Sequence, residues 1–170
     1  MDADPATRAV DAGAADLALI HDADGLPAQL PPSLMQQRVH VDIGDIVMRG
    51  DHPLASGVGP LTSAELSDCT WVTSPPGTVC NQWFRRLFES ESRHPDTRHL
   101  IDDFSTQLAL VAAEGVVALI PRLARPQFPA GLVARPLTRP PRRVVSALWR
   151  RSSDVSPSIR KVLSELTEGW

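Results

Sequence analysis

Short apolar runs and helically spaced apolar positions alternate along almost the whole of this chain. Asp4-Pro5 offers an N-cap and a first-turn proline, predicting a short helix to about Ala12 that Gly13 ends. Asp16–Ile20 (DLALI) reads as a buried strand, and Gly25–Pro32 as a proline-rich loop. In Arg38–Met48 (RVHVDIGDIVM), Val39, Val41 and Ile43 share one face, and Gly44 is expected to mark a bend or bulge before Ile46–Met48. After a Gly50–Pro60 loop, Thr62 and Glu65 stand in capping-box spacing at a short helix, and Thr70–Thr73 (TWVT) forms a strand.

Ser74-Pro75-Pro76-Gly77-Thr78 is a turn into an amphipathic helix carrying Val79, Trp83, Phe84, Leu87 and Phe88 at helical spacing. Such an aromatic stripe is read as core rather than as a cofactor surface, and His94-Pro95 is expected to stop the helix. Arg98–Ile101 is a strand, Ser105 caps a helix reaching Ala113, and Val116–Ile120 is an apolar strand closed by Pro121. Leu132–Ala134 and Val144–Trp149 are further strands, and Ser156-Pro157 opens a last helix ending near Thr167. This alternation predicts an α/β fold with a mainly parallel sheet and helices on its faces.

At 170 residues, with 42% hydrophobic and 22% charged, the chain suits one domain or two small lobes with a core that requires no metal or disulfide. A net charge of −3 gives no support for a nucleic-acid-binding face. Arg139, Arg142, Arg143, Arg150 and Arg151 are read as solvated strand ends and loop rather than a phosphate-binding surface. Cys69 and Cys80 match no zinc or redox spacing, so neither a metal nor a disulfide is expected. The acidic N-terminal stretch lacks the apolar segment of a signal peptide, and no run of about 18 apolar residues occurs. A cytoplasmic protein without a membrane partner is therefore expected. With neither a G-x-S-x-G elbow nor an H-E-x-x-H helix, the chain is expected to be no enzyme and to hold no cofactor.

Val10–Ile20 (VDAGAADLALI), Asp51–Ala55 (DHPLA), Leu61–Val72 (LTSAELSDCTWV), Asp102–Pro121 (DDFSTQLALVAAEGVVALIP) and Val144–Arg150 (VVSALWR) follow one another in a characteristic order. In that order and spacing the chain resembles the effector-binding domain of LysR-type transcriptional regulators, with DHPLA the most specific segment. It departs from the pattern in having no counterpart of the family's opening strand and helix, or of its winged helix-turn-helix. Glu114-Gly115-Val116 also stands where the family commonly has Gly-x-Gly.

The resemblance implies an α/β fold of two Rossmann-like lobes of the type 2 periplasmic-binding-protein kind, with a ligand cleft between them. Residues 1–68 plus 151–170 would form a first, N-terminally incomplete lobe, and residues 69–150 the second. It implies a ligand-sensing regulatory domain that binds a small anionic effector and forms a homodimer or tetramer. DNA would be reached only through a helix-turn-helix domain absent from this chain. The rivals are a stand-alone solute-binding module of the same architecture and, behind it, an enzyme on that fold. In open α/β sheets ligands sit beyond the carboxyl ends of strands, where helix N-termini present unpaired N–H groups. The expected effector contacts are accordingly Ser74, Pro75, Gly77 and Thr78, then Phe104, Ser105 and Thr106, and His21 after the first strand. Each has a plainer alternative: a capped Pro-Gly turn, a helix cap, a solvated loop histidine. His52 beside Asp51 is assigned to a structural loop, not to catalysis.

Overall fold

The computed structural model describes residues 3–22, 30–92 and 95–168. Most of the expected Gly25–Pro32 loop, and His94 of the expected helix stop, lie outside them. In chain order the elements are α1 (Ala3–Asp11), β1 (Leu17–His21), β2 (Leu34–Arg49), α2 (Ser63–Leu66), β3 (Thr70–Thr73), α3 (Val79–Leu87), β4 (Asp96–Leu100), α4 (Phe104–Glu114), β5 (Ala118–Pro121), β6 (Leu132–Arg135), β7 (Arg142–Arg150) and α5 (Pro157–Glu168). They fall into two compact units, Met1–Asp42 with Arg143–Trp170, and Ile43–Arg142. The observed divisions thus cut β2 and the start of β7 rather than falling at the expected 68/69 and 150/151. β2 is one unbroken strand across Asp42, and its turn from alternation to a continuously buried run at Gly44–Met48 reads as a change of burial, not as a boundary.

In the first unit β7 lies between β1 and β2, and β1 pairs with it antiparallel, Leu17 opposite Trp149 and His21 opposite Val145. Successive side chains of a strand point to opposite faces, and both faces of β7 are covered. Val145, Ala147 and Trp149 pack with Ile159 and Leu163 of α5, while Leu148 packs with Ile20 of β1 and Ala6 of α1. That two-sided burial explains why VVSALW is apolar at every position but Ser146, itself buried. β1 is less buried than expected, with Leu19 41% exposed. Gly13, at φ 78°, ends α1 as the sequence predicts, its N–H reaching the Val10 carbonyl at 3.1 Å.

The expectation of solvated arginines fails at Arg143, which is buried against Asp42, its Nε and Nη2 donating to one carboxylate oxygen at 2.9 and 2.7 Å. Arg150 also turns inward, donating to the carbonyls of Val10 and Ala15 at 2.8 and 2.6 Å and to Asp16 at 2.6 Å. These arginines tie the first unit together.

In the second unit the sheet order is β4-β3-β5-β2-β6. β3 and β4 run parallel, and Trp71 bridges Val117 in parallel at the foot of β5. β2 lies antiparallel between β5, with Gly44 opposite Pro121, and β6, with Ile46 opposite Arg135. The sheets are therefore mixed rather than mainly parallel. β1 and β2 find their partners far away in sequence, so strand direction is not dictated by successive crossovers.

Helices cover both faces of the second sheet. Trp71, Val117 and Leu119 meet Trp83, Phe84 and Phe88 on one side, with the Trp71 and Phe84 rings 5.1 Å apart. Val72, Val116, Ala118 and Ile120 meet Leu108 and Val111 of α4 on the other. The aromatic stripe of α3 is core, as expected.

Candidate functional site

Because β3, β4 and β5 of the second unit run parallel, their carboxyl ends open onto one edge of the sheet. There the chain turns into α3 after Thr73, into α4 after Leu100, and into the Arg122–Gly131 segment after Pro121. Adjacent strands stand about 4.8 Å apart, so the three junctions lie side by side. Ser74–Thr78 and Phe104–Thr106, separate in sequence, are brought to this same edge. His21 is not in that unit; it is half-buried on β1.

At the β3–α3 junction Ser74 is 2% exposed, and its carbonyl accepts the Asn81 side-chain amide at 2.9 Å. Thr78 is the N-cap: its hydroxyl accepts the Asn81 N–H at 3.1 Å and donates to the Pro75 carbonyl at 2.8 Å. Gly77 has φ +91° with no atom within 4 Å of where a Cβ would stand, so a left-handed turn opens to solvent just ahead of α3. The first turn of α3 contains no acidic side chain, leaving its positive end unneutralised from within the helix.

At the β4–α4 junction the expected cap is corrected. Asp103, not Ser105, is the N-cap, and its carboxylate accepts from the Thr106 N–H and hydroxyl at 2.6 and 2.7 Å. An N-cap side chain serves the N–H two or three positions on; Ser105 already lies inside the first turn and is exposed. The Thr106 hydrogen bonds hold the Asp103 carboxyl below its usual pKa against a small desolvation cost. Buried Gln107 closes the junction, donating to the Ile101 carbonyl at 2.7 Å. The positive end of α4 thus already holds an anion from the chain itself.

Beyond Pro121, Asp45 of β2 sits beneath two guanidiniums. Arg122 donates to it through Nε and Nη2 at 2.9 and 2.8 Å, and Arg125 through Nη2. Burial alone would raise the Asp45 pKa; the hydrogen bonds and charges of Arg122 and Arg125 outweigh it and lower the value. The Arg125 guanidinium stands 5.3 Å from the centre of the Phe128 ring.

The whole chain, residues 1–170, matches the family model described as LysR substrate binding domain. The chain belongs to the LysR substrate-binding domain family. The HTH-type transcriptional regulator GbpR of Azospirillum brasilense is 36% identical to this LysR domain over 88 residues, a match covering 50% of the domain and only 25% of that regulator. Among solved structures it is similar to the C-terminal domain of a probable LysR family regulator from Rhodococcus sp. RHA1, with TM-score 0.75 and 20% identity over 98% of this chain and 81% of that one. It is also similar to the Synechocystis PCC6803 CcmR regulatory domain in complex with 2-PG, with TM-score 0.77 and 15% identity over 98% and 79%. At such identities the likeness concerns the fold, and the fold is that of the type 2 periplasmic-binding proteins.

The DHPLA loop of the LysR domain has a structural role. His52 Nδ1 accepts the Leu54 N–H at 3.2 Å, and burial, partly offset by Asp51, lowers the His52 pKa. Buried Arg135 of β6 then pins the loop, donating to the carbonyls of Leu54, Ala55 and Gly59. Arg135→Met leaves those carbonyls short of a donor, each orphaned group costing about 1–3 kcal/mol where water cannot reach it. We expect a loss of about 2 kcal/mol, read as a lower urea midpoint at unchanged m-value.

A groove of about 410 Å³ beside this loop, lined by His52, Glu65, Cys69, Thr70, Arg98 and Glu114, lies at the amino ends of β3 and β5. It is thus at the edge opposite Ser74–Thr78. There Gly115, at φ 72°, ends α4, and Glu114 meets His99 at 2.9 Å. Among the described residues no cluster of metal-binding side chains occurs, and no helix is long and apolar enough to cross a membrane. Asn81, Asp103, Asp45, Arg122 and Arg125 join the expected residues at the carboxyl edge. Asp103 was legible as Asp-x-x-Thr ahead of an apolar helix; Asp45 and its arginines, 77 and 80 positions apart, left no local trace.

Proposed function

We propose that this LysR domain senses a small anionic metabolite through the β3–α3 junction, with Ser74, Pro75, Gly77 and Thr78 as contacts. The carrying observation is the capped, open N-terminus of α3, free of acidic side chains in its first turn, at the carboxyl edge of three parallel strands. Main-chain N–H groups and an aligned helix dipole in that position favour an anion. Phe104, Ser105 and Thr106 flank it, though at α4 the Asp103 carboxylate competes for the same N–H groups. The CcmR regulatory domain, of the same fold, is complexed with 2-PG, which supports a small-molecule ligand here.

The domain's role is sensing and not turnover, in a cytoplasmic regulator that self-associates as a dimer or tetramer and meets DNA through a helix-turn-helix outside this chain. Effector binding acts by favouring one of two conformations, which requires unequal affinity for them. Thermal unfolding against a panel of central-metabolism carboxylates and phosphates tests the reading. At least one compound should raise Tm in a saturable manner, as mass action requires, and Thr78→Ala should weaken that response. A flat panel overturns the proposal.

A further inference from the structure

The carboxyl edge of the second sheet is electrically polarised along its length, and that polarity names a ligand class. In sheet order the edge presents Asp102 and Asp103 at β4, the uncharged Ser74–Thr78 turn at β3, and Arg122 and Arg125 at β5. At the acidic end the α4 N-terminus is self-filled by Asp103, so an incoming anion meets repulsion there. At the basic end two guanidiniums share one carboxylate, Asp45, which is 7% exposed, while the Arg122 and Arg125 side chains are 49% and 26% exposed. Asp45 fixes the planar forks, a preorganisation suited to bidentate capture of carboxylate or phosphate. The buried Nε of Arg125 has no hydrogen-bond partner, and Phe128 beside it supplies an apolar wall.

Resting on the anion-sensing reading above, we propose that Arg122 and Arg125, together with the adjacent α3 N-terminus, seat the acid group of the effector between β5 and β3, and that Asp102 and Asp103 receive hydrogen-bond donors at its other end. The ligand is an acid bearing ammonium or hydroxyl groups. With strands about 4.8 Å apart, two strand spacings set the separation of acid and donors at roughly 10 Å or somewhat less.

Two sets of probes test this on the whole chain by thermal unfolding and calorimetry. Inorganic phosphate should stabilise the protein, and Arg125→Gln and half-exposed Arg122→Gln should each weaken its affinity at least tenfold, with Arg139→Gln behaving as unchanged. Two separate arginine variants, each checked for an unaltered circular dichroism spectrum, guard against a simple folding defect. Among six-carbon acids, 6-aminohexanoate should bind several-fold more tightly than hexanoate, and adipate least. The double variant Asp102→Asn with Asp103→Asn, which keeps an N-cap acceptor, should abolish the preference for the amine without weakening hexanoate. Phosphate binding that survives both arginine substitutions, or hexanoate and adipate binding as well as 6-aminohexanoate, overturns the proposal. A metabolite from the wider panel that still stabilises the wild type and both arginine variants alike would leave effector sensing standing and this assignment wrong.

Discussion

Replacing Asp42 with alanine should destabilise the domain by about 3–5 kcal/mol, the usual cost of removing one partner of a buried ion pair. Asp42 is 2% and Arg143 6% exposed, and Asp42 accepts both Nε and Nη2 of Arg143. In the variant the guanidinium stays buried without that counter-charge, and the Coulomb and hydrogen-bond terms that Asp42 supplied are gone. Asp42→Asn retains an acceptor and should lose less, about half as much. A well-packed apolar replacement of both partners, Asp42→Leu with Arg143→Met, should recover most of the stability, since buried pairs often give no net advantage over hydrophobic side chains. Urea unfolding of Asp42→Leu, Arg143→Met and the double variant, combined as a cycle, checks this; equal losses in Asp42→Leu and in the double variant would refute it. The pair closes on residues 101 positions apart, where the chain enters and leaves the second unit.

The same pair shows what the sequence could and could not disclose. Elements defined by local chemistry were legible: the Thr62–Glu65 capping box forms as its spacing predicts, Gly13 ends α1, and the α3 stripe packs as core. Such features depend on contacts within a few residues. Asp42 and Arg143 looked like ordinary polar positions in an alternating strand and a basic patch, because charge pairing across a long separation leaves no periodicity. The unit boundary was hidden for a related reason: β2 is one unbroken 16-residue strand, and although its C-terminal half turns from alternation to a continuously buried run, nothing local says that this half changes partners, to β5 and β6. Of the candidate site, the two strand–helix junctions were legible from strand-turn-helix order alone. Their electrostatic character was not, since Asp103, Asp45, Arg122 and Arg125 gain meaning only once strand order sets them along one edge.

Gly44 carries the second large effect, and here two opposing terms must be weighed. Its φ lies outside the left-handed region, so alanine would meet no backbone strain and would gain about 0.4–1 kcal/mol by restricting the unfolded chain. Against that, a Cβ at this position would stand 2.5 Å from Trp83 Cη2, 2.7 Å from Leu119 Cδ1 and 2.9 Å from Trp83 Cζ3. Trp83 is 2% and Leu119 7% exposed, so neither can swing into solvent. Overpacking of a closed core costs about 1–3 kcal/mol even for small additions, and the steric term wins. The glycine expected to bend the strand instead stays in register opposite Pro121 and makes room for an indole. Gly44→Ala should lower stability by about 2 kcal/mol, and Gly44→Val by more, a fall in Tm of at least about 4–8 °C for a domain of this size. Trimming the ring should reverse the sign of the effect: in a Trp83→Leu background, itself destabilised, Gly44→Ala should be neutral or stabilising. If Gly44→Ala raises Tm in the wild-type background, or costs the same with and without the indole, close packing against Trp83 is not what holds this position to glycine.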